Sequence, residues 1–149
     1  MSNIFSCNNR GVPPSPAEEA WELFWRIFRD DKPRRMAVFS ELGLSFQQAM
    51  ALGHLEADEP LPMSALAGAL QCDNSNVTGI VDRLEAAGLA ERRPAERDRR
   101  VKTVVLTPHG EAVRDEVRRR AGTPPPEIAR LSEADAEQLR EILQRALDG

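Results

Sequence analysis

Across Gly88 the apolar period of this chain changes from 3.6 residues to 2, and no other feature restricts its fold as tightly. Upstream, Val77, Ile80, Val81 and Leu84 repeat at the i, i+3, i+4, i+7 spacing of one helix face. Gly88 then supplies the residue that tolerates a left-handed helix stop. Before that helix, SALAGAL over residues 64–70 reads as a short helix starting near Ser64. Gln71-Cys72-Asp73 makes the turn, and either Asp73 or Asn74 can cap the helix that follows. Downstream, residues 89–92 and 101–106 alternate as two strands around a polar turn. Two helices joined by a short turn and followed by a hairpin make a winged helix-turn-helix.

The second helix carries Asn74, Ser75, Asn76, Thr78, Gly79 and Arg83 away from its apolar stripe. Short side chains let a helix backbone approach base edges closely, and asparagine pairs bidentately with adenine. Asn74, Ser75, Asn76 and Thr78 are therefore candidates for major-groove contacts, with Gly79 keeping that surface low. Arg83, a turn further on, is better placed for a phosphate, because the N-terminal part of such a helix reaches the bases.

A net charge of −4 argues against nucleic acid until it is mapped along the chain. Residues 83–102 hold seven basic against four acidic side chains, a local +3 that leaves −7 for the rest. A compact basic stretch on an acidic body is an electrostatic footprint. Arg93, Arg97, Arg99 and Arg100 load the hairpin turn, and Arg97 and Arg99 at its tip suit a narrow minor groove. Asp98 repels phosphate unless neutralised, and Arg100, two residues along, is its expected partner in stabilising the wing. Arg92 and Arg93 read either as phosphate contacts or as strand-edge charges.

The remaining sequence supplies helices. Residues 1–14, rich in Ser, Asn, Gly and Pro, form a tail. Ser15, Pro16 and Glu18 make a capping box, and the helix they start runs to about Asp30 because Pro33 discourages continuation. Trp21, Phe24, Trp25 and Phe28 form one stripe of this helix, while Leu23 and Ile27 point elsewhere. A helix apolar on two sides is buried on two sides, and in a small domain one of those sides faces a second subunit. Further helices fit residues 34–42, a segment capped by Ser45, residues 108–121 after Thr107-Pro108, and a last one opened by Ser132. Leu61-Pro62-Met63 is strand-like, and Thr123-Pro124-Pro125-Pro126 interrupts the helices. The expected organisation is an α+β, mainly α chain. An N-terminal dimerisation helix covers residues 15–33, a winged helix 34–107 and C-terminal dimerisation helices 108–149.

At 149 residues, 41% hydrophobic and 30% charged, the chain suits one globular core. No apolar run reaches the length of a membrane span, and the N-terminus has no secretion signal pattern. With only Cys7 and Cys72, a disulfide framework is excluded and a cytoplasmic location is expected. His54 and His109 lack partners at metal-ligand spacing, so no metal or cofactor is expected. None of the nucleophile-elbow, phosphate-loop, dinucleotide or zinc-protease motifs occurs, which argues against an enzyme.

Residues 63–110 resemble the multiple antibiotic resistance regulator (MarR) family. The phrases carrying the likeness are SNVTGIVDRLEAAGL, then RRPAERDRR followed by VVLT. Phe39, Leu42, Leu44, Gln47, Ala49 and Leu55 fit the family's second and third helices, and the PPP segment with its capped terminal helix fits as well. The resemblance implies a homodimer on double-stranded DNA whose first, fifth and last helices interlock, and a transcriptional regulator, most often a repressor. It also implies release by a small phenolic or other anionic effector, or by oxidation. The expected effector site lies near Trp25, Met36 and Phe39, and the family's D-x-R pattern agrees with the Asp98–Arg100 pair. Two other readings stand beside this one. The winged helix can serve protein contact alone, or Cys7 or Cys72 can act as a thiol redox switch. A polar recognition face and the absence of tyrosine argue against each in turn.

Overall fold

The computed structural model describes residues 13–95 and 100–148 of the chain. They form two compact units, one running from Arg34 to Thr123 and the other built from the segments on either side of it.

The Arg34–Thr123 unit holds α2 (Lys32–Glu41) from Arg34 onward, α3 (Phe46–Gly53), β1 (Leu61–Pro62), α4 (Met63–Ala69), α5 (Asn74–Ala86), β2 (Ala90–Pro94), β3 (Lys102–Leu106) and α6 (Pro108–Ala121). Local signals place the helix ends. Pro33 sits in the first turn of α2, where its missing N–H costs nothing. The Ser45 side chain accepts from Gln48 N–H while the Gln48 side chain returns to the Ser45 backbone, a complete capping box. Gly88 takes φ +67° after α5, and Gln71 takes φ +50° in the turn after α4, a conformation uncommon for a side chain bearing Cβ.

The sheet is antiparallel with order β1-β3-β2. Its central strand is buried at four consecutive residues, Thr103 to Leu106, which is why its sequence is apolar without interruption after Thr103. Leu52, Leu55, Leu66, Val77, Val81, Leu84 and Val104 are fully buried and form the centre of the core.

Residue 107 lies within this unit. Thr107 caps α6 by accepting from Gly110 N–H at 3.0 Å, and donates its hydroxyl to the Gly88 carbonyl at 2.6 Å. Val117 enters the core, and Arg114 is buried, donating to the Leu55 carbonyl at 2.9 Å and pairing with Glu56. Burial opposes the charge on Arg114, but the hydrogen bonds and negative charges of Glu56 and Asp115 outweigh it and raise its pKa.

The other unit contains α1 (Pro16–Asp30), α7 (Pro126–Ala129) and α8 (Glu133–Asp148). The capping box at Ser15 forms as expected, with Ser15 N–H donating to the Glu18 carboxylate at 2.7 Å. The one-turn helix α7 is not expected from the sequence, where Thr123–Pro126 reads as an interruption; Pro126 begins this helix instead. Along α1, Trp21 stacks on Phe24 and Trp25, and Trp25 on Phe28, with centroids 5.6 to 6.4 Å apart. Neither α1 nor α8 has a buried residue in the isolated chain. No helix among the described residues is long and apolar enough to cross a membrane.

Candidate nucleic-acid interface

The start of α5 is set by Asp73, not Asn74. The Asp73 carboxylate accepts from Ser75 Oγ at 2.6 Å and from Asn76 N–H at 2.8 Å. Those two bonds, Ser75's first, hold its carboxyl below the ordinary aspartate range. Capping by Asp73 leaves Asn74 as the first helical residue with its amide outward. Val77, Ile80, Val81 and Leu84 are buried, while Asn74, Ser75, Asn76 and Thr78 are exposed, as the periodicity requires.

Hydrogen bonding separates those four polar residues. Ser75 commits its hydroxyl proton to Asp73, and Thr78 commits its own to the Asn74 carbonyl at 2.8 Å, so each offers a partner only acceptor lone pairs. The amides of Asn74 and Asn76 make no hydrogen bond to another described residue and keep their full donor and acceptor capacity. A Cβ on Gly79 would meet nothing within 4 Å, so the fold itself does not require glycine there. Mid-helix glycine costs roughly 0.5–1 kcal/mol relative to alanine. Its presence leaves the surface open to a close approach from outside.

Beside this face runs a groove of about 520 Å³, lined among others by Ser64, Asn74, Thr78, Asp82, Arg100 and Lys102. Arg83, Arg93, Arg100 and Lys102 are exposed, and Arg93 pairs with Glu91. Arg97, Asp98 and Arg99 lie outside the described residues, and so does the expected Asp98–Arg100 pair. Arg92, which the sequence left between two roles, is turned inward against α5; its partners Asp82 and Glu85 were missed altogether. The only trace of them in sequence is two carboxylates spaced i, i+3 on the helix that precedes the hairpin.

The expected effector residues are placed differently from one another. Phe39 is 4% exposed and fills the core with its ring tilted on that of Phe46, and Met36 packs against that core. Trp25 belongs to the other unit, on α1. A ligand touching Phe39 has to displace core contacts. Cys72 is half-buried against the core in the turn before α5, and Cys7 lies outside the described residues. No group of three or more His, Cys, Asp or Glu residues able to hold a metal occurs among the described residues.

A helix-turn-helix whose second helix presents polar side chains beside a basic hairpin defines a winged-helix protein. Residues 42–101 match the sequence model of the MarR family. The chain is 29% identical over 105 residues to the HTH-type transcriptional regulator YfiV of Bacillus subtilis, covering 70% of this chain and 66% of that protein. It is 38% identical over 79 residues to the HTH-type transcriptional regulator PecS of Dickeya dadantii, covering 51% of this chain and 48% of that one. The chain thus spans from just under half to about two thirds of the length of these relatives. Its fold superposes with a TM-score of 0.62 on a point mutant of MepR from S. aureus bound to an oligodeoxyribonucleotide, at 24% identity over 87% of this chain and 96% of that one.

Proposed function

We propose that this protein is a sequence-specific, double-stranded DNA-binding transcriptional repressor that acts as a homodimer on a pseudo-palindromic operator. The observation that carries the reading is the pair of uncommitted amides, Asn74 and Asn76, on the exposed N-terminal turn of α5, next to the basic hairpin. An amide with both donor and acceptor available discriminates adenine in the major groove. MepR, whose fold this chain shares, binds DNA. Two-fold symmetry would set the two recognition helices one helical turn apart, about 34–36 Å. The reading extends to release by a small anionic or phenolic effector, the mode the family resemblance implies.

The test compares a duplex selected from a random library with an unselected duplex across a salt series. Asn76→Ala should cost roughly 1–3 kcal/mol on the selected sequence and little on the unselected one. Arg97→Ala or Arg99→Ala should weaken both, and should flatten the log–log salt dependence by nearly two units if each arginine meets a phosphate in both subunits, at about 0.9 per contact. If all three variants bind both duplexes like the wild type, the winged helix serves protein contact instead.

Gly79 gives an independent check in which stability and binding move in opposite directions. Gly79→Ala should stabilise the fold by roughly 0.5–1 kcal/mol, because open space surrounds the added methyl. The same methyl should weaken binding to the selected duplex. A variant that gains stability and keeps full affinity would place the DNA further from α5 than this reading requires.

A further inference from the structure

We infer that Arg92 is a positioning residue, which locks the recognition helix to the wing and offsets part of the negative charge of Asp82 and Glu85 beside the DNA-facing groove. The inference rests on the DNA-binding reading above and assigns one arginine of the basic stretch to the protein rather than to phosphate.

The geometry is that of a clamp. Arg92 lies on β2, an edge strand, and its N–H donates at 2.8 Å to the carboxylate of Glu85. Its guanidinium pairs with the other oxygen of the same carboxylate. One guanidinium nitrogen also reaches Asp82 Oδ1 at 2.7 Å and the Thr78 carbonyl at 3.2 Å. Thr78, Asp82 and Glu85 follow the i, i+4, i+7 row of one helix face, so a single residue of the wing spans about two turns of α5. An edge-strand N–H left without a partner would be satisfied by water and would hold nothing. Glu85 turns it into a joint between strand and helix. The Arg92 side chain is 21% exposed, whereas Arg93 beside it is 54% exposed. Neighbouring strand residues point to opposite faces, so one arginine faces the helix and the other faces away.

Charge gives the clamp its second consequence. Asp82 lines the groove with Asn74, Arg100 and Lys102, and its side chain is 59% exposed. An uncompensated carboxylate there would repel a phosphate backbone, and in a dimer it would do so twice. Arg92 pairs with Asp82 and Glu85 together and halves their combined charge. Its planar fork suits this role, since it serves several acceptors at fixed geometry, which a lysine ammonium cannot do.

Glu85→Ala separates the two roles by sign. For a phosphate-binding Arg92, removing a competing carboxylate strengthens DNA binding. For the clamp, the same change weakens affinity for the selected duplex by roughly tenfold, although it removes negative charge near the DNA. Arg92→Lys, which keeps the charge and loses the fork, should lose most of the affinity that Arg92→Ala loses. Both should shift the salt slope by less than the roughly two units expected for a phosphate contact in each subunit. Tighter or unchanged binding by Glu85→Ala, or wild-type affinity in Arg92→Lys, overturns the clamp.

Urea unfolding without DNA provides the second readout. Arg92→Ala combined with Glu85→Ala should lose no more stability than the worse single variant, because either change already opens the joint. Strictly additive losses overturn the clamp whatever the DNA result. A wild-type protein that selects no duplex would instead overturn the proposed function and leave the clamp to be decided by this cycle.

Discussion

Gly110→Ala should cost about 3 kcal/mol or more, a large part of the roughly 5–15 kcal/mol that holds an ordinary domain folded. A Cβ at this position would lie 1.8 Å from the Leu89 carbonyl oxygen and 2.8 Å from the carbonyl carbon, with a Leu106 methyl at 3.1 Å. The obstacle is backbone, so no rotamer change relieves it, and α6 or the turn between α5 and β2 has to move. Moving either breaks the bonds from Thr107 to the Gly88 and Leu89 carbonyls, which seat α6 on that turn. Overpacking that side chains can absorb costs typically about 1–3 kcal/mol, and a rigid carbonyl puts this case at the top of that range or beyond it. Urea denaturation measures the loss. Gly68→Ala is the control, since nothing lies within 4 Å of its added methyl and it sits inside α4. That variant should be neutral or stabilising by up to about 1 kcal/mol. A Gly110→Ala protein as stable as the wild type would mean that α6 is not seated against Leu89 in solution.

Replacing Trp21 and Phe28 together with aspartate should convert the proposed dimer to a monomer at micromolar concentration. On α1, Trp21, Leu23, Phe24 and Phe28 are 59%, 51%, 49% and 45% exposed in the isolated chain, and on α8 Ile142, Leu143 and Leu147 are 53%, 44% and 83% exposed. Surface apolar residues scattered singly need no explanation, but seven large ones on two helices of one unit do. A second copy of the chain is the proposed cover. Full burial of a large apolar side chain contributes roughly 1.5–3 kcal/mol, and a two-fold axis uses each residue twice. Two substitutions per chain thus remove four anchors and introduce four charges, a loss that should weaken association by at least about a thousandfold. Sedimentation velocity measures it, with the helical circular-dichroism signal as the check on folding. A double variant that still sediments as a dimer puts the interface elsewhere, and the recognition-helix spacing would then need another origin.

The features legible in the sequence share one physical property: each is decided by residues a few positions apart. Ser15 with Glu18, Ser45 with Gln48, and Thr107 with Gly110 are caps spaced i, i+3, and all three form. The stripe from Val77 to Leu84 selects the buried face of α5, and so by exclusion its exposed face. Gly88 stops that helix because a left-handed φ of +67° suits glycine. Periodicity and capping need no knowledge of the rest of the chain, so the helix-turn-helix, the hairpin and the candidate base-reading residues could all be located from the residues alone.

The tertiary structure decided the pairings. The sequence holds 20 basic and 24 acidic side chains, and nothing local selects Asp82 and Glu85 for Arg92 or Glu56 for the buried Arg114. Charge attraction is long-ranged and indifferent to residue order, so many pairings are nearly equal in energy until packing brings one set into contact. Choosing Asp73 rather than Asn74 as the cap was settled in the same way, by which carboxylate or amide oxygen the folded turn delivers to the Asn76 N–H. Gly110 has the same origin, since what makes a methyl intolerable there is a carbonyl 21 positions earlier in the chain. Phe39 reads equally well as core or pocket lining on an amphipathic helix, and only the filled space around its ring places it in the core. Local backbone preference therefore determined the elements and their outward chemistry, whereas three-dimensional close packing determined which charges are spent inside the protein.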